Sequence, residues 1–425
     1  MADGQPRQRA GQPAGAQFMP APRAEASVEL SKPERAWPPI DYEPRPWVRT
    51  GDEVASRRAL RAAASEYQAS VPPEISKLRL DLEPAVLAVA DDASKELTRF
   101  DTKAGMIAAP FASILLRTES ASSSEVENVT SSAKQVALAE IGESRSGNAQ
   151  LVVSNVRAMN AAIALSDRLD EEAIIAMHEA LLTSSAPHHV GSWRQEQVWI
   201  GGGSVSPHTA RFVPPHRDRV PGLMKDLVEF AHRTDIPVLV QAAIAHAQFE
   251  TIHPFPDGNG RTGRALLQGM LRAGGVTRNV AVPVSAGLLS DTDAYFDALN
   301  AYRTGDPNEI VSSVSEASFA AVNNGQRLVD DIEAVRARWN ATVVARADSS
   351  VHRVKEYLLR QPVINTKTVA SALSVSEVAA QTSIDKLVDA DVLTQAGGRA
   401  RYRIWQASEV LDALDAFGAR ARRSR

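Results

Sequence analysis

The chain has 425 residues, a hydrophobic share of 44%, a charged share of 23% and a net charge of -4. That is an ordinary globular balance with no global pull toward nucleic acid or anionic membrane, and the length suggests two or three domains. The absence of cysteine excludes disulfides, thiolate metal ligands and cysteine nucleophiles, and the nine histidines form no HExxH pattern, so a zinc site is not expected.

No run of about 18 apolar residues predicts a membrane span. The N-terminus lacks the apolar core of a signal peptide, so the simplest address is the cytoplasm. Residues 1–35 are rich in Pro, Gly, Ala and Gln and are expected to form a disordered tail. The stretch WPPIDYEPRPW (37–47) mixes prolines with aromatics and predicts an extended segment lying on the folded body. From 53 to 120 the pattern is helical, broken at Pro72 and Pro73. Residues 122–141 are polar and then helical, and apolar residues at three-to-four spacing predict two helices over 148–183. The character then changes. Two β-prone runs, 197–200 and 211–213, flank a Gly/Ser/Pro loop and predict a β-hairpin. Helices are expected again at 221–232, 237–252, 259–273, 291–303 and 307–345. Pro221 and Pro237 stand where a first helical turn tolerates proline. The last segment predicts helices at 351–360, 366–373 and 376–390, two β-prone runs around Gly397 and Gly398, and a helix at 408–419. That order is the order of a winged-helix domain.

The segment HPFPDGNGRTGR (253–264) carries the chemistry. His253 follows a long helical pattern, and Pro254 stops its continuation. Phe255 is a lone large apolar residue in a polar loop and is expected to anchor it. Gly258 and Gly260 permit positive φ or close backbone approach. A new helix starts near Asn259, and its free N–H groups form an anion site. Arg261 and Arg264 lie three apart, on one face of that helix. Backbone donors and two forked guanidiniums suit a polyphosphate. Asp257 beside them is a natural Mg²⁺ ligand, since Mg²⁺ takes one or two carboxylates plus phosphate oxygens. His253 can serve as general base.

This segment resembles the Fic family signature, HxFx(D/E)GNGRxxR, at every defined position. The resemblance implies a mainly α fold: a helical bundle with this loop between two central helices and a β-hairpin flap. It implies transfer of AMP from ATP to a Ser, Thr or Tyr hydroxyl of a protein. His253 would deprotonate the hydroxyl. Asp257 would hold Mg²⁺. Phe255, Gly258, Asn259, Gly260, Arg261 and Arg264 would build the nucleotide site. The resemblance runs over roughly 110 to 330. The text GSWRQEQVWIGG looks like the family flap, so Gln197, Val198, Trp199 and Ile200 would align the target peptide by strand addition. One departure stands at the nucleoside end of the pocket: Arg303 occupies a place where family members often carry Asn. The domain division that follows is 1–35, a helical region 36–110, a core 111–345 and a winged-helix-like unit 346–425. A homodimer is implied by the resemblance alone.

Residues 123–128, SSEVEN, fit the family's inhibitory pattern (S/T)xxxE(G/N), with Ser123 first, Glu127 the acid and Asn128 last. The resemblance implies that Glu127 pairs with Arg264 and puts a negative charge where the γ-phosphate belongs. In some relatives the same glutamate positions water to remove AMP. The other histidines read as structural. His246 and His178 sit mid-helix and are expected in the core, and His188 and His189 as an exposed loop pair. Trp193 and Trp199 are expected to pack the flap.

The helix at 376–390 and its C-terminal flank offer Lys386 against Glu377, Asp385, Asp389 and Asp391, a poor grip on phosphates. Basic residues sit only at the edges, Arg399, Arg401, Arg403 and the terminal RARRSR. This favours a protein-docking or dimer module over DNA binding. The alternative reading is a transcription regulator whose core senses ATP and whose C-terminal unit binds DNA. A third, a structural adaptor with an idle site, conflicts with the complete motif.

Overall fold

The computed structural model describes residues 37–47, 66–107, 111–202, 206–397 and 403–422. The expectations for residues 1–35, for the start of the helical stretch at 53–65, for Gly398, Arg399 and Arg401 and for the last three residues lie outside them. The first elements are a hairpin. Strand β1 (Asp41–Pro46) pairs antiparallel with β2 (Glu66–Val71), Asp41 opposite Val71 and Pro46 opposite Glu66. The extended reading of 37–47 holds, but the helical reading of 53–120 fails at β2. Tyr67 and Ala69 are buried there in strand alternation.

Four helices follow, α1 (Pro84–Met106), α2 (Phe111–Val126), α3 (Ala133–Glu140) and α4 (Gly147–Ala164), and then α5 (Glu171–Leu182). Ser132, Ser146 and Asp170 cap α3, α4 and α5 by accepting a backbone N–H in the first turn. The predicted flap hairpin reduces to one antiparallel bridge, Ile200 to Phe212. Helix α6 (Val220–Ala231) has proline in its first turn. Helix α7 (Val238–Ile252) is buried at every residue from Leu239 to Ile252, and α8 (Asn259–Ala273) from Asn259 to Leu271. A helix buried all round is central to a bundle, and α7 and α8 pack on each other with α4 against α8.

A short helix, α9 (Val284–Ser290), went unread in the sequence because it spans two turns only. Helices α10 (Thr292–Arg303) and α11 (Asn308–Thr342) follow. At about 1.5 Å per residue α11 is roughly 50 Å long, and α1, α9 and α10 lie along it. Gly287 of α9 sits so close to the backbone of Ala317 in α11 that a β-carbon would collide with it. Gly287→Ala is therefore expected to cost about 1–3 kcal/mol, read as a lower urea midpoint at unchanged slope.

The chain ends in α12 (Ser350–Arg360), β3 (Val363–Ile364), α13 (Thr366–Leu373), α14 (Glu377–Asp389), β4 (Thr394–Gln395), β5 (Trp405–Gln406) and α15 (Ser408–Arg422). The three short strands form an antiparallel sheet in the order β3-β5-β4. Helix α15 packs on α11, α9 and α2, and Trp37–Arg425 forms one compact unit. Among the described residues no helix is long and apolar enough to cross a membrane.

Candidate functional site

The α7–α8 loop is shaped by three locks. His253 ends α7 in the left-handed region, φ 51°, with its N–H on the carbonyl of Phe249 at 2.8 Å. Such a conformation costs a non-glycine residue free energy and is kept where the surroundings over-determine it. Asn259 supplies the second lock. Its Oδ1 accepts from the N–H of Phe255 at 2.9 Å, and its Nδ2 donates to the carbonyl of Phe255 at 2.8 Å. The third is Phe255 itself, fully buried. Its ring stacks on His178 at 3.7 Å and meets Trp193 at 5.1 Å. Phe255→Ala is expected to destabilise the fold by about 3–5 kcal/mol, checked by chemical denaturation.

His178 also holds the loop from outside, its Nε2 lying 3.0 Å from the carbonyl of Asp257. Gly258 starts α8 at φ 78°, and its N–H donates to Asp257 Oδ1 at 2.6 Å. The Asp257 side chain stays 60% exposed.

Behind Gly258 the first turn of α8 has no side-chain cap. Arg261 is only 5% exposed, yet its Nε and Nη1 find no partner among the described residues. Leaving buried guanidinium donors unmade is costly, which points to an absent acceptor. Arg264, 2% exposed, is engaged through Nε and Nη2. Its Nε donates to Ser123 Oγ at 3.0 Å, and its Nη2 to the Ser123 carbonyl at 2.7 Å and to Glu127 Oε1 at 2.9 Å.

Ser123, Glu127 and Asn128 of the SSEVEN segment each have a local reason. Ser123 grips Arg264 from the last turn of α2. Asn128 turns the chain out of that helix at φ 60°, a left-handed cap that Gly or Asn adopts most readily. This puts the Glu127 carboxylate against Gly260, where an added β-carbon would overlap it. Glu127 is 39% exposed at its side chain. Burial pushes its carboxyl up, but the charge and hydrogen bond of Arg264 outweigh that and hold it below its ordinary value. Burial works against the charge of Arg264, and Glu127 more than restores it.

Three residues of the site escaped the sequence reading. Arg194 donates its Nε to the His253 carbonyl at 2.9 Å and its Nη1 to the Glu196 carbonyl at 3.0 Å, and its Nη2 also holds the Pro215 carbonyl. It ties the loop to both arms of the flap. Glu250 lies one turn before His253 with Oε2 3.8 Å from His253 Nδ1 and a buried, unpartnered Oε1. Its pKa is raised to about 7, by burial first and against the pull of Arg264. Tyr67 of β2 donates to Gln197 Oε1 at 3.0 Å. Arg303, already singled out, places its guanidinium 3.9 Å from the Phe212 ring centroid and donates Nη2 to the Glu250 carbonyl at 3.3 Å.

The flap residues also meet the N-terminal hairpin. Ser70 donates its N–H to the Val213 carbonyl at 3.1 Å, and Trp47 meets Trp199 edge-on at 5.5 Å. Trp193 and Trp199 thus pack as expected. His246 is buried against the Tyr295 hydroxyl at 2.8 Å.

Burial, with Arg194 and Arg303 adding repulsion, lowers His253 to about 4. Burial likewise lowers His178 to about 4 and His246 to about 3, from an ordinary 6.5. Burial raises Glu119 and Glu250 from 4.5 to about 7, against the Ser285 hydrogen bonds at Glu119. Between pH 6.5 and 4.5 the three histidines take protons only when unfolded, so acid destabilises through them. The two glutamates bind protons only when folded in that window, so acid stabilises through them. Below 4.5 that offset stops growing while the histidine contribution continues. The melting temperature is therefore expected to fall gently from pH 6.5 to 4.5 and steeply below, checked by calorimetry across that range.

Residues 168–271 match the Fic/DOC family and residues 87–164 the Fic/DOC family N-terminal region. Over 160 residues the chain is 31% identical to the protein adenylyltransferase fic-1 of Caenorhabditis elegans, covering 37% of this chain and 28% of that one. It is 38% identical over 98 residues to a probable protein adenylyltransferase of Aquifex aeolicus, covering 21% and 30%. The chain thus spans less than a third of the length of either curated relative. Among solved structures it resembles a Fic family protein from Desulfovibrio desulfuricans G20, with a TM-score of 0.50 at 22% identity. That likeness covers 77% of this chain and 97% of the other and speaks for the fold.

Proposed function

We propose, on the premise that residues 87–164 and 168–271 belong to the Fic/DOC family, that the protein transfers AMP from ATP to a protein hydroxyl. The observation that carries this reading is Arg261. Its two unpartnered, buried donors lie beside the open N–H groups of α8 and one loop away from His253. A polyphosphate is the acceptor that would satisfy them.

The target oxygen would attack the α-phosphorus while the bond to pyrophosphate breaks, and His253 would take the hydroxyl proton. With Nδ1 turned toward the Glu250 carbonyl at 3.4 Å, Nε2 is the nitrogen left to do so. A pKa near 4 keeps that imidazole neutral, and so able to accept a proton, at physiological pH. Arg261 and Arg264 would bind the outer phosphates, and Gly258, Asn259 and Gly260 would line the anion hole. Phe255 would fix the loop from below.

The donor set fits Mg²⁺. Among the described residues no three His, Asp or Glu converge, and Asp257 offers one exposed carboxylate next to the phosphate site. An ion there would complete its shell with phosphate oxygens and water, which is the magnesium pattern. When bound it would neutralise phosphate charge.

Glu127 acts in this reading as a brake. It occupies Arg264 and lies over Gly260, so the γ-phosphate would meet both a missing partner and a like charge. A tenfold suppression needs only about 1.4 kcal/mol. The target would lie along Gln197, Val198, Trp199 and Ile200, a role supported by the flap's anchorage through Arg194 and Tyr67. The C-terminal order of helix, strand, two helices and two strands supports the winged-helix reading. Incubation with α-labelled ATP, with UTP and GTP as competitors, tests the donor. Labelling that ATP alone suppresses supports AMP transfer, and suppression by UTP or GTP instead would reassign the donor.

A further inference from the structure

Helix α2 has two working faces. Ser123 and Glu127 point at Arg264, whereas Ser122 and Glu125 border a cavity of about 640 Å³ on the side away from the nucleotide site. Its other walls are the turn at 130–133 and helix α15, through Leu414, Phe417 and Arg422. We infer that this cavity is a binding site for a neutral small molecule carrying hydroxyl or carbonyl groups and an apolar face, and that its occupant holds the brake in place. The regulatory half of this inference rests on the reading of Glu127 as the brake.

The site is built for a polar guest. Arg117 lines it and is 7% exposed, with Nε and Nη2 spent on Glu140 at 3.0 and 2.7 Å and Nη2 also on the Arg360 carbonyl at 2.6 Å. Its Nη1 has no partner among the described residues, and neither has the buried Oγ of Ser131, which also lines the cavity. Unsatisfied buried groups of this kind call for an acceptor and a donor that the chain does not supply. Val136, Val152, Leu414 and Phe417 give the cavity an apolar side.

Charge selects the class. Arg117 is already paired with Glu140, and Arg422 with Glu125 through both carboxylate oxygens. Asp415 adds a further negative charge while accepting from the Ala133 N–H at 2.9 Å. The lining therefore has no spare cation to repay the desolvation of an anion. A volume of this size is in the ordinary range for small-molecule sites.

The direction of the effect follows from linkage. A ligand that binds this arrangement stabilises this arrangement. Here α2 is seated on Arg264, so filling the cavity tightens the brake.

The chain's lack of cysteine makes a direct test available. Ser131→Cys places a single thiol in the cavity by a near-isosteric change, and Thr130→Cys on the exposed rim serves if the first variant folds poorly. Each is treated with 2-hydroxyethyl methanethiosulfonate, which forms a mixed disulfide and releases methanesulfinate, or with its anionic sulfonatoethyl analogue. Intact mass gives occupancy. The neutral adduct is expected to raise the melting temperature by about 2 °C or more and to lower labelling by α-labelled ATP about fivefold or more. The anionic adduct is expected to do neither. In the Glu127→Gly background the neutral adduct should still raise the melting temperature and leave labelling unchanged. No stabilisation by the neutral adduct, or equal stabilisation by the anionic one, overturns the site. Stabilisation without suppression, in a chain that Glu127→Gly does activate, overturns the coupling. Failure of Glu127→Gly to activate would count against the brake itself, while the melting shifts still decide the cavity.

Discussion

His253→Ala lowers AMP transfer by about 10²–10⁴-fold, the span that a positioned general base contributes. The expected loss falls on kcat, because in the proposed mechanism the imidazole acts on the hydroxyl proton alone and the first turn of α8 is left intact. His253 is held by its backbone, with its carbonyl on Arg194 and its N–H on Phe249. Alanine at φ 51° keeps both contacts at the cost of some strain. The variant should therefore still bind ATP, which isothermal calorimetry can show. Full transfer activity in the alanine variant would remove the base from the mechanism.

Glu127→Gly raises labelling by tenfold or more. The change withdraws the carboxylate from Arg264 and from the space over Gly260 in one step, and leaves the Ser123 contacts to Arg264 in place. Ser123→Ala should release less, because Glu127 still reaches Nη2. The order Glu127→Gly above Ser123→Ala above wild type, read by label per mole of protein, separates a charge brake from a merely loosened α2. Equal labelling of Glu127→Gly and wild type would mean that Glu127 does not restrain the site.

The loop at 253–264 was legible because its chemistry is contiguous. His253, Phe255, Asp257, the glycines, Asn259, Arg261 and Arg264 lie within twelve residues of each other in sequence, and the left-handed turn, the buried anchor and the helix start follow from local rules. The segment around Glu127 was legible for the same reason. Its Asn128 announces the positive φ that aims the glutamate. Arg194, Glu250 and Tyr67 were not legible, because each acts through partners brought by tertiary packing. Arg194 is one arginine in a polar flap until its guanidinium is seen on three carbonyls from separate segments. Glu250 reads as an ordinary helical residue between Phe249 and Thr251 until the burial of α7 removes its solvent.

The same distinction explains the elements. The long helices declare themselves by spacing, and the C-terminal helices were placed to within three residues. Strand β2 was lost because an alanine-rich, charged approach to it reads as helix, and its partner β1 lies some twenty residues upstream. Pairing, not propensity, makes it a strand. The flap shrank to a single bridge because its arms are held by side chains, Arg194 and Gln197, where a ladder was expected.

The most direct test is intact mass after incubation with Mg²⁺ and α-labelled ATP of three chains: wild type, Glu127→Gly, and Glu127→Gly with His253→Ala. The expected result is label together with one AMP of added mass, strong in the single variant, weak in wild type and absent in the double variant. Label of equal strength in all three, or none in the single variant, would contradict AMP transfer through His253 under the restraint of Glu127.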